Sequence, residues 1–227
     1  RLVEAASWEP NAAFDELLAL NPIGQVPTLK LPDGSVLSES AAILMALVPL
    51  AKRGLIAPAG TVNATAASGV TGAGLTARTD LLFGEVTEDF RAYGVANTHR
   101  HLAEMRAVLE GAGADADLIF TPHLLPVARG ILATITVPVT ETIPDPLSPW
   151  RDEFAGEPFV EVTAEPPSLR DVVRRNVVRI SARYVAGVRQ PTLLVLSAID
   201  NLVKGAAGQA VQNANVVLGL DEPMGLP

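Results

Sequence analysis

Two histidines flank an arginine in the run AYGVANTHRH, residues 92–101. An imidazole titrates near neutral pH, so His99 is a candidate to give and take a proton; a histidine just ahead of a helix also serves as a cap or a surface residue. His101 reads as structural, and His123, in FTPHLLP, as a strand-end residue beside a cleft. The glycine-rich run SGVTGAG, 68–74, offers backbone N–H groups that can cradle a phosphate, and its plainer reading is a flexible turn. Arg129 and Lys204 are the cations best placed to meet a phosphate or a carboxylate, though each also suits a solvated surface. Asn201 stands beside Asp200 at the start of an apolar-spaced segment, a place for a capping contact. Ser38 and Ser40, in LSES, carry hydroxyls that attack only with a strong base beside them, and both read more simply as helix caps.

The sequence has no cysteine, which removes disulfides, thiolate metal sites and cysteine nucleophiles from these residues. Three histidines without cysteine partners leave no expected metal site.

Those residues need elements to hold them. VPTLKLPDGSVL places Asp33-Gly34 between two extended segments, a hairpin signal. ESAAILMALVPL, 39–50, follows as a helix with Glu39 in its first turn, where a carboxylate favours the helix dipole. A strand is predicted over 60–67, running into the glycine-rich loop. The spacing of Leu102, Met105, Ala107 and Leu109 predicts a helix over 100–110. Further strands are predicted at 117–121, 130–138, 158–163, 175–185 and 192–198, and PVTETIPDPLSPW is too proline-rich for the interior of a regular element. One long helix, from Asp200 to Leu218, closes the chain. Strands running between two helices indicate an α+β layer with its sheet covered on one face.

Composition sets the outer limits. At 227 residues the chain has room for one large or two small domains. A net charge of −8 argues against nucleic acid or an anionic membrane surface as a partner, since both need a basic patch. The longest apolar run, Ala41 to Ala51, is interrupted by Pro49 and falls short of the roughly 20 residues that span a bilayer. The absence of cysteine fits a cytoplasmic location. The first residue is Arg, so a preceding segment is expected.

Two resemblances divide the sequence. LNPIGQVPTLKLPDGSVLSESAAIL, 20–44, resembles the N-terminal domain of glutathione transferases. It implies a partial thioredoxin-like fragment, a β-hairpin and a helix, over 1–41. Glutathione contacts would then fall on Val26, Pro27, Glu39 and Ser40. The stretches SGVTGAG, AYGVANTHRH, FTPHLLPVARGILAT, GEPFV and AIDNLVKGAAGQAVQNAN resemble, in order, N-acetyl-γ-glutamyl-phosphate reductases. That resemblance implies that 42–227 form a glyceraldehyde-3-phosphate-dehydrogenase-like C-terminal catalytic and dimerisation domain. It implies an oxidoreductase of arginine biosynthesis using NADP, cytoplasmic, working on a small-molecule substrate as a homo-oligomer, dimer or higher. His99 would be the catalytic acid–base residue. Ser68, Gly69, Arg129 and Lys204 would bind substrate, and Gly72, Gly74 and Asn201 the cofactor. In that family a thiolate attacks the acyl phosphate, phosphate leaves, and the thioester accepts hydride to give the semialdehyde. AAIL belongs to both patterns, so the join is expected within Ala41 to Leu47, with LSES where the reductase nucleophile would stand.

The sequence departs from the reductase pattern at named positions. Leu75 follows the glycine-rich loop in place of an Arg, and Ala103 stands for a Pro. Arg174-Arg175 replace a small Gly-Ser pair, and two long cations there are expected to close the cleft or redirect the strand. Little or no turnover is expected from these residues alone. Glutathione binding and a chimera without function are the alternative readings.

Overall fold

The computed structural model describes residues 29–30, 36–37, 41–73 and 78–227. Near the start, β1 (Leu29–Lys30) pairs antiparallel with β2 (Val36–Leu37), Leu29 opposite Leu37, as the hairpin signal predicts. Asp33-Gly34 and the cap residues Ser38, Glu39 and Ser40 lie outside the described residues, as do Val26, Pro27, Gly74 and Leu75.

A seven-stranded mixed sheet organises the rest, in the order β4-β5-β3-β6-β9-β8-β7. Its strands are β3 (Gly60–Gly69), β4 (Arg91–Ala92), β5 (Ala116–Leu125), β6 (Ile131–Pro138), β7 (Val160–Val162), β8 (Val178–Tyr184) and β9 (Thr192–Ile199). β3 and β5 run parallel, as do β7 and β8; the other neighbours are antiparallel. Alternation along the strands assigns the faces. Val62, Ala64, Leu118, Phe120, Ala133, Ile135, Val137, Ile180 and Val195 are buried on one side in a single core. Helix α1 (Ala41–Lys52) lies in that core with Ile43, Leu44, Ala46, Leu47 and Leu50 buried, and only a narrow stripe of Ala41, Met45, Val48 and Lys52 is less than fully covered. Trp150, fully buried in the short helix α4 (Ser148–Glu153), donates its indole N–H to the Ala46 carbonyl at 3.1 Å. Helix α3 (Leu102–Gly111) adds Leu102, Met105 and Leu109, three of the four residues its spacing singled out; Ala107, the fourth, is exposed. The other side of the sheet is open along much of its width: Asn63, Thr65, Ile119 and Thr134 are exposed, and Thr136, Leu194 and Leu196 half-buried.

Several expectations are corrected. The 60–67 strand continues through Gly69, so the first two residues of the glycine-rich loop are paired with Leu124 and Leu125. The 158–163 and 175–185 strands shorten to Val160–Val162 and Val178–Tyr184; just ahead of them Phe159 and Val177 are buried in a small second cluster with Val172 and Ala198. The proline-rich stretch keeps no regular element in its interior, and at its end Pro149 sits in the first turn of α4, where a missing N–H costs nothing. The closing helix is not one rod: a π-helical turn, Val203–Ala207, precedes the α-helix α6 (Gly208–Leu218). Nor is β8 redirected by the two arginines. Arg174 takes φ +67, in the region that favours glycine, and Arg175 turns outward to Glu161 and the Asp171 carbonyl.

Candidate functional site

The C-terminal ends of β3 and β9 and the N-terminal start of β6 meet at one end of the sheet, through the registers Ser68 opposite Ile131 and Ile131 opposite Ile199. The chain leaves β9 into Asp200-Asn201, and this pair joins the surrounding loops. Asn201 accepts the buried Gly130 N–H on Oδ1 at 2.7 Å and donates from Nδ2 to Thr71 Oγ1 at 2.9 Å. Thr71 in turn donates to the Ala128 carbonyl at 2.6 Å. Gly130 has φ +106, and a Cβ there would stand 2.8 Å from Leu169 Cδ2, so glycine is required at the turn. Ser68 and Gly72 adjoin the same clasp: a Cβ on Gly72 would lie 3.1 Å from Ser68 Oγ and 3.6 Å from Asn201 Nδ2. Gly69 packs against the backbone of Val127 and Arg129 and donates its N–H to the Gly130 carbonyl at 2.9 Å.

Asp200 is fully buried, and three backbone N–H groups satisfy it: Leu202 at 2.7 Å and Val203 at 3.1 Å on Oδ1, and Arg174 at 2.6 Å on Oδ2. The Arg129 guanidinium stands 3.6 Å from Oδ2 and keeps 31 % of its side-chain surface open. It neutralises the carboxylate without being needed for its hydrogen bonds, so its donors remain available to an anion arriving from solvent. Sequence reasoning placed Asp200 only as a neighbour of Asn201. A carboxylate ahead of a helix start was the one signal of its role.

Lys204 faces elsewhere. It is buried, with Nζ donating to Gln212 Oε1 at 2.7 Å and lying 5.2 Å from the centre of the Phe159 ring. Burial pulls its ammonium down to about 8, with Glu222 and Glu157 pulling the other way. Gln212 also accepts from Asn176 Nδ2 at 3.1 Å and donates to Glu222 Oε1 at 2.6 Å. Lys204 thus belongs to a buried polar network under α6, which turns Gln212 and Asn215 inward and leaves Val211, Val216, Val217 and Leu218 exposed.

His99 lies on the covered side of the sheet. Its ring meets Phe120 edge-on at 5.3 Å, Tyr93 at 5.6 Å and His101 at 4.7 Å. Phe120 is opposite Ala64, four residues back along β3 from Ser68, roughly 13 Å at about 3.3 Å per residue. The structure therefore brings together Ser68, Gly69, Gly72, Arg129 and Asn201, with His99 further along the covered face and Lys204 in its own network. His123 sits on the opposite face, stacked on Phe90 at 5.0 Å. Among the described residues no group of three or more His, Asp or Glu is placed to hold a metal ion.

Comparison with known proteins gives this arrangement a class. The model for "Semialdehyde dehydrogenase, dimerisation domain" matches residues 40–201, and the chain belongs to that family. The curated relatives are N-acetyl-gamma-glutamyl-phosphate reductases. The one from Ectopseudomonas mendocina is 46% identical over 185 residues, covering 80% of this chain and 53% of its own length. The one from Pseudomonas entomophila is 40% identical over 240 residues, covering 100% of this chain and 68% of its own length. The chain spans about half the length of the first curated relatives it matches. A second model, "Glutathione S-transferase, N-terminal domain", matches residues 2–48. Aspartate semialdehyde dehydrogenase II from Vibrio cholerae superposes with a TM-score of 0.60 at 19% identity, over 80% of this chain and 61% of that one. A probable aspartate-semialdehyde dehydrogenase from Pseudomonas aeruginosa gives 0.60 at 18%. The fold is the α+β, glyceraldehyde-3-phosphate-dehydrogenase-like one that the resemblance implies. No helix among the described residues is long and apolar enough to cross a membrane.

Proposed function

We propose that residues 42–227 are the substrate-side half of an N-acetyl-γ-glutamyl-phosphate reductase, a cytoplasmic enzyme of arginine biosynthesis that uses NADP. Residues 1–41 would be a glutathione-transferase-like fragment joined in front. The observation that carries this reading is the clasp around Asn201, which gathers Ser68, Gly69 and Gly72 from one distant segment and Arg129 from another. Arg129 would hold the phosphate or carboxylate of the substrate, with the Ser68 hydroxyl beside it. His99 would move the proton to or from the oxygen of the reacting carbonyl.

NADPH supplies the hydride in that reaction. Gly72 and Asn201 do not form a dinucleotide site by themselves, because Asn201 holds Thr71 and Gly130 with its carboxamide and Gly72 packs over Ser68. They shape a wall for a cofactor carried by another domain. The outward valines of α6 offer an apolar surface to such a domain. The open sheet face would pair with a second copy, giving a dimer.

These residues contain no thiol, so we expect no turnover of N-acetyl-γ-glutamyl phosphate by the purified chain. NADPH absorbance, or phosphate-dependent NADP reduction with the semialdehyde, measures it. Turnover well above background that disappears in His99→Ala would contradict the expectation and return Ser38 or Ser40 as nucleophile. The second reading is glutathione binding, favoured by the match over residues 2–48 and by the β1–β2 pairing. Calorimetric titration is expected to show weak or no binding. Micromolar affinity lost in Ser40→Ala would establish the module instead.

A further inference from the structure

We infer that Asn97 is a positioning residue for His99, its carboxamide standing in for a neighbouring strand's peptide on the outer edge of β5. The inference builds on the reading of His99 as the acid–base residue.

β4 is only two residues long and pairs with β5 at His123 and Leu124, so the ladder on that edge stops early. Backbone groups further along still need partners. Tyr93 N–H donates to the Pro122 carbonyl at 3.0 Å. Then Asn97 takes over: its Oδ1 accepts the Phe120 N–H at 2.9 Å, and its Nδ2 donates to the Leu118 carbonyl at 3.0 Å. An amide side chain presents one acceptor and one donor side by side, as a peptide group does, so a single residue continues the edge for two more bonds.

The backbone is bent to allow it. Ala96 has φ +56 and Asn97 φ +62, two consecutive residues in the left-handed region, where asparagine is among the better-tolerated side chains. Two residues further on comes His99, and its ring rests on Phe120, the same residue whose N–H Asn97 holds. The opposite side of the loop is equally close: Gly94 has φ +53, and a Cβ there would meet His99 Cβ and Cδ2 at 3.2 Å. His101 N–H reaches His99 Nδ1 at 3.3 Å, which makes Nδ1 the acceptor and leaves the proton of the neutral ring on Nε2. Asn97 ties the loop and the floor under the imidazole to one another, fixing the position in which Nδ1 meets the His101 N–H.

The sequence holds three histidines, so a chain labelled with ¹³C,¹⁵N-histidine gives a simple spectrum. His123, on the opposite face, serves as an internal control. In the wild type we expect cross-relaxation between the His99 and Phe120 rings and nitrogen shifts of an Nε2-protonated tautomer. Asn97→Ala should weaken the His99–Phe120 contacts severalfold and move the His99 nitrogens toward the average of the two tautomers, with His123 unchanged. Asn97→Gly removes the amide while relieving the left-handed backbone, and should give the same result. Asn97→Asp keeps the acceptor for Phe120 and loses the donor to Leu118, so it should restore part of the contact. His99 signals unchanged in both Asn97→Ala and Asn97→Gly would overturn the assignment. So would equal loss of the His99 and His123 signals, because that marks a residue holding the whole domain. None of these readouts needs turnover, so an inactive chain leaves the test intact.

Discussion

The two faces of the seven-stranded sheet are written by the same strands and do different work. Along β6, Ala133, Ile135 and Val137 point to the helices and are fully buried, while Thr134 is exposed and Leu132 and Thr136 half-buried on the other side. β9 repeats the division, with Leu193 and Val195 buried and Leu194 and Leu196 left half-covered. The covered face is closed by α1, α3 and Trp150 within one chain. At the β7–β8 end of the open face, Phe159, Val172, Val177 and Ala198, with Leu132 and Leu226 packed against them, make a small cover of their own. The comparison teaches that these strands carry more apolar residues than one covered face needs, which is the pattern expected if the open face is to meet a second copy, as proposed above.

The largest effect lies on the covered face. Trp150→Ala removes the largest fully buried side chain among the described residues and frees the Ala46 carbonyl of its indole partner, and should cost about 3–5 kcal/mol in urea unfolding. A loss below about 1 kcal/mol would mean that α4 does not close the core. At the seam between the faces, Asp200→Ala strips three N–H groups of their acceptor at once. A loss of about 2–4 kcal/mol is expected, together with faster amide exchange at Arg174, Leu202 and Val203.

Lys204 gives a prediction whose sign is set by its burial. Between about pH 8 and the ordinary lysine value of 10.5 the unfolded chain holds a proton that the folded chain has released, so the lysine's contribution to stability rises with pH across that window. Below it both states are charged and burial is a constant cost. Urea midpoints of the wild type and Lys204→Met should therefore shift in favour of the wild type from pH 7.5 to 9.5, and a flat difference would contradict the assignment. The smallest effect is a gain. Arg174→Gly relieves a left-handed arginine whose backbone N–H, donating to Asp200, glycine keeps. A rise of about 1 kcal/mol is expected, and a loss would show that the arginine side chain has a further task.

What the sequence made legible follows from how local each signal is. The helix carrying Leu102, Met105 and Leu109, and the alternating strands at 131–138 and 192–199, show in their periodicity because burial selects every second or every third-to-fourth side chain. ESAAILMALVPL raised the question of which family claims it. Structurally its Ala42–Leu50 stretch packs with the seven-stranded sheet, since Ile43, Leu44, Leu47 and Leu50 fill the covered face. The site was only half legible. Ser68, Gly69, Gly72, Arg129 and Asn201 do meet, but the clasp that joins them runs through Thr71, whose contacts lie 57 and 130 positions away in sequence, and beside Asp200, which holds the Arg174 N–H 26 positions back. Asn97 was hidden for the same reason, its partners lying 21 and 23 positions on. Lys204 was read as a surface or substrate cation because nothing local announces Phe159 above it and Gln212 beside it.

The open face is the sharpest test of the whole account. Light scattering on the purified chain from low to high micromolar concentration should show a dimer that associates further as concentration rises, the second step using the outward valines of α6. Leu196→Glu, a charge placed in the middle of the open face, should abolish the dimer while leaving the unfolding midpoint of the monomer nearly unchanged. A stable monomer across the whole range in the wild type would contradict the account, because it would mean that the half-covered leucines of β9 need no second copy.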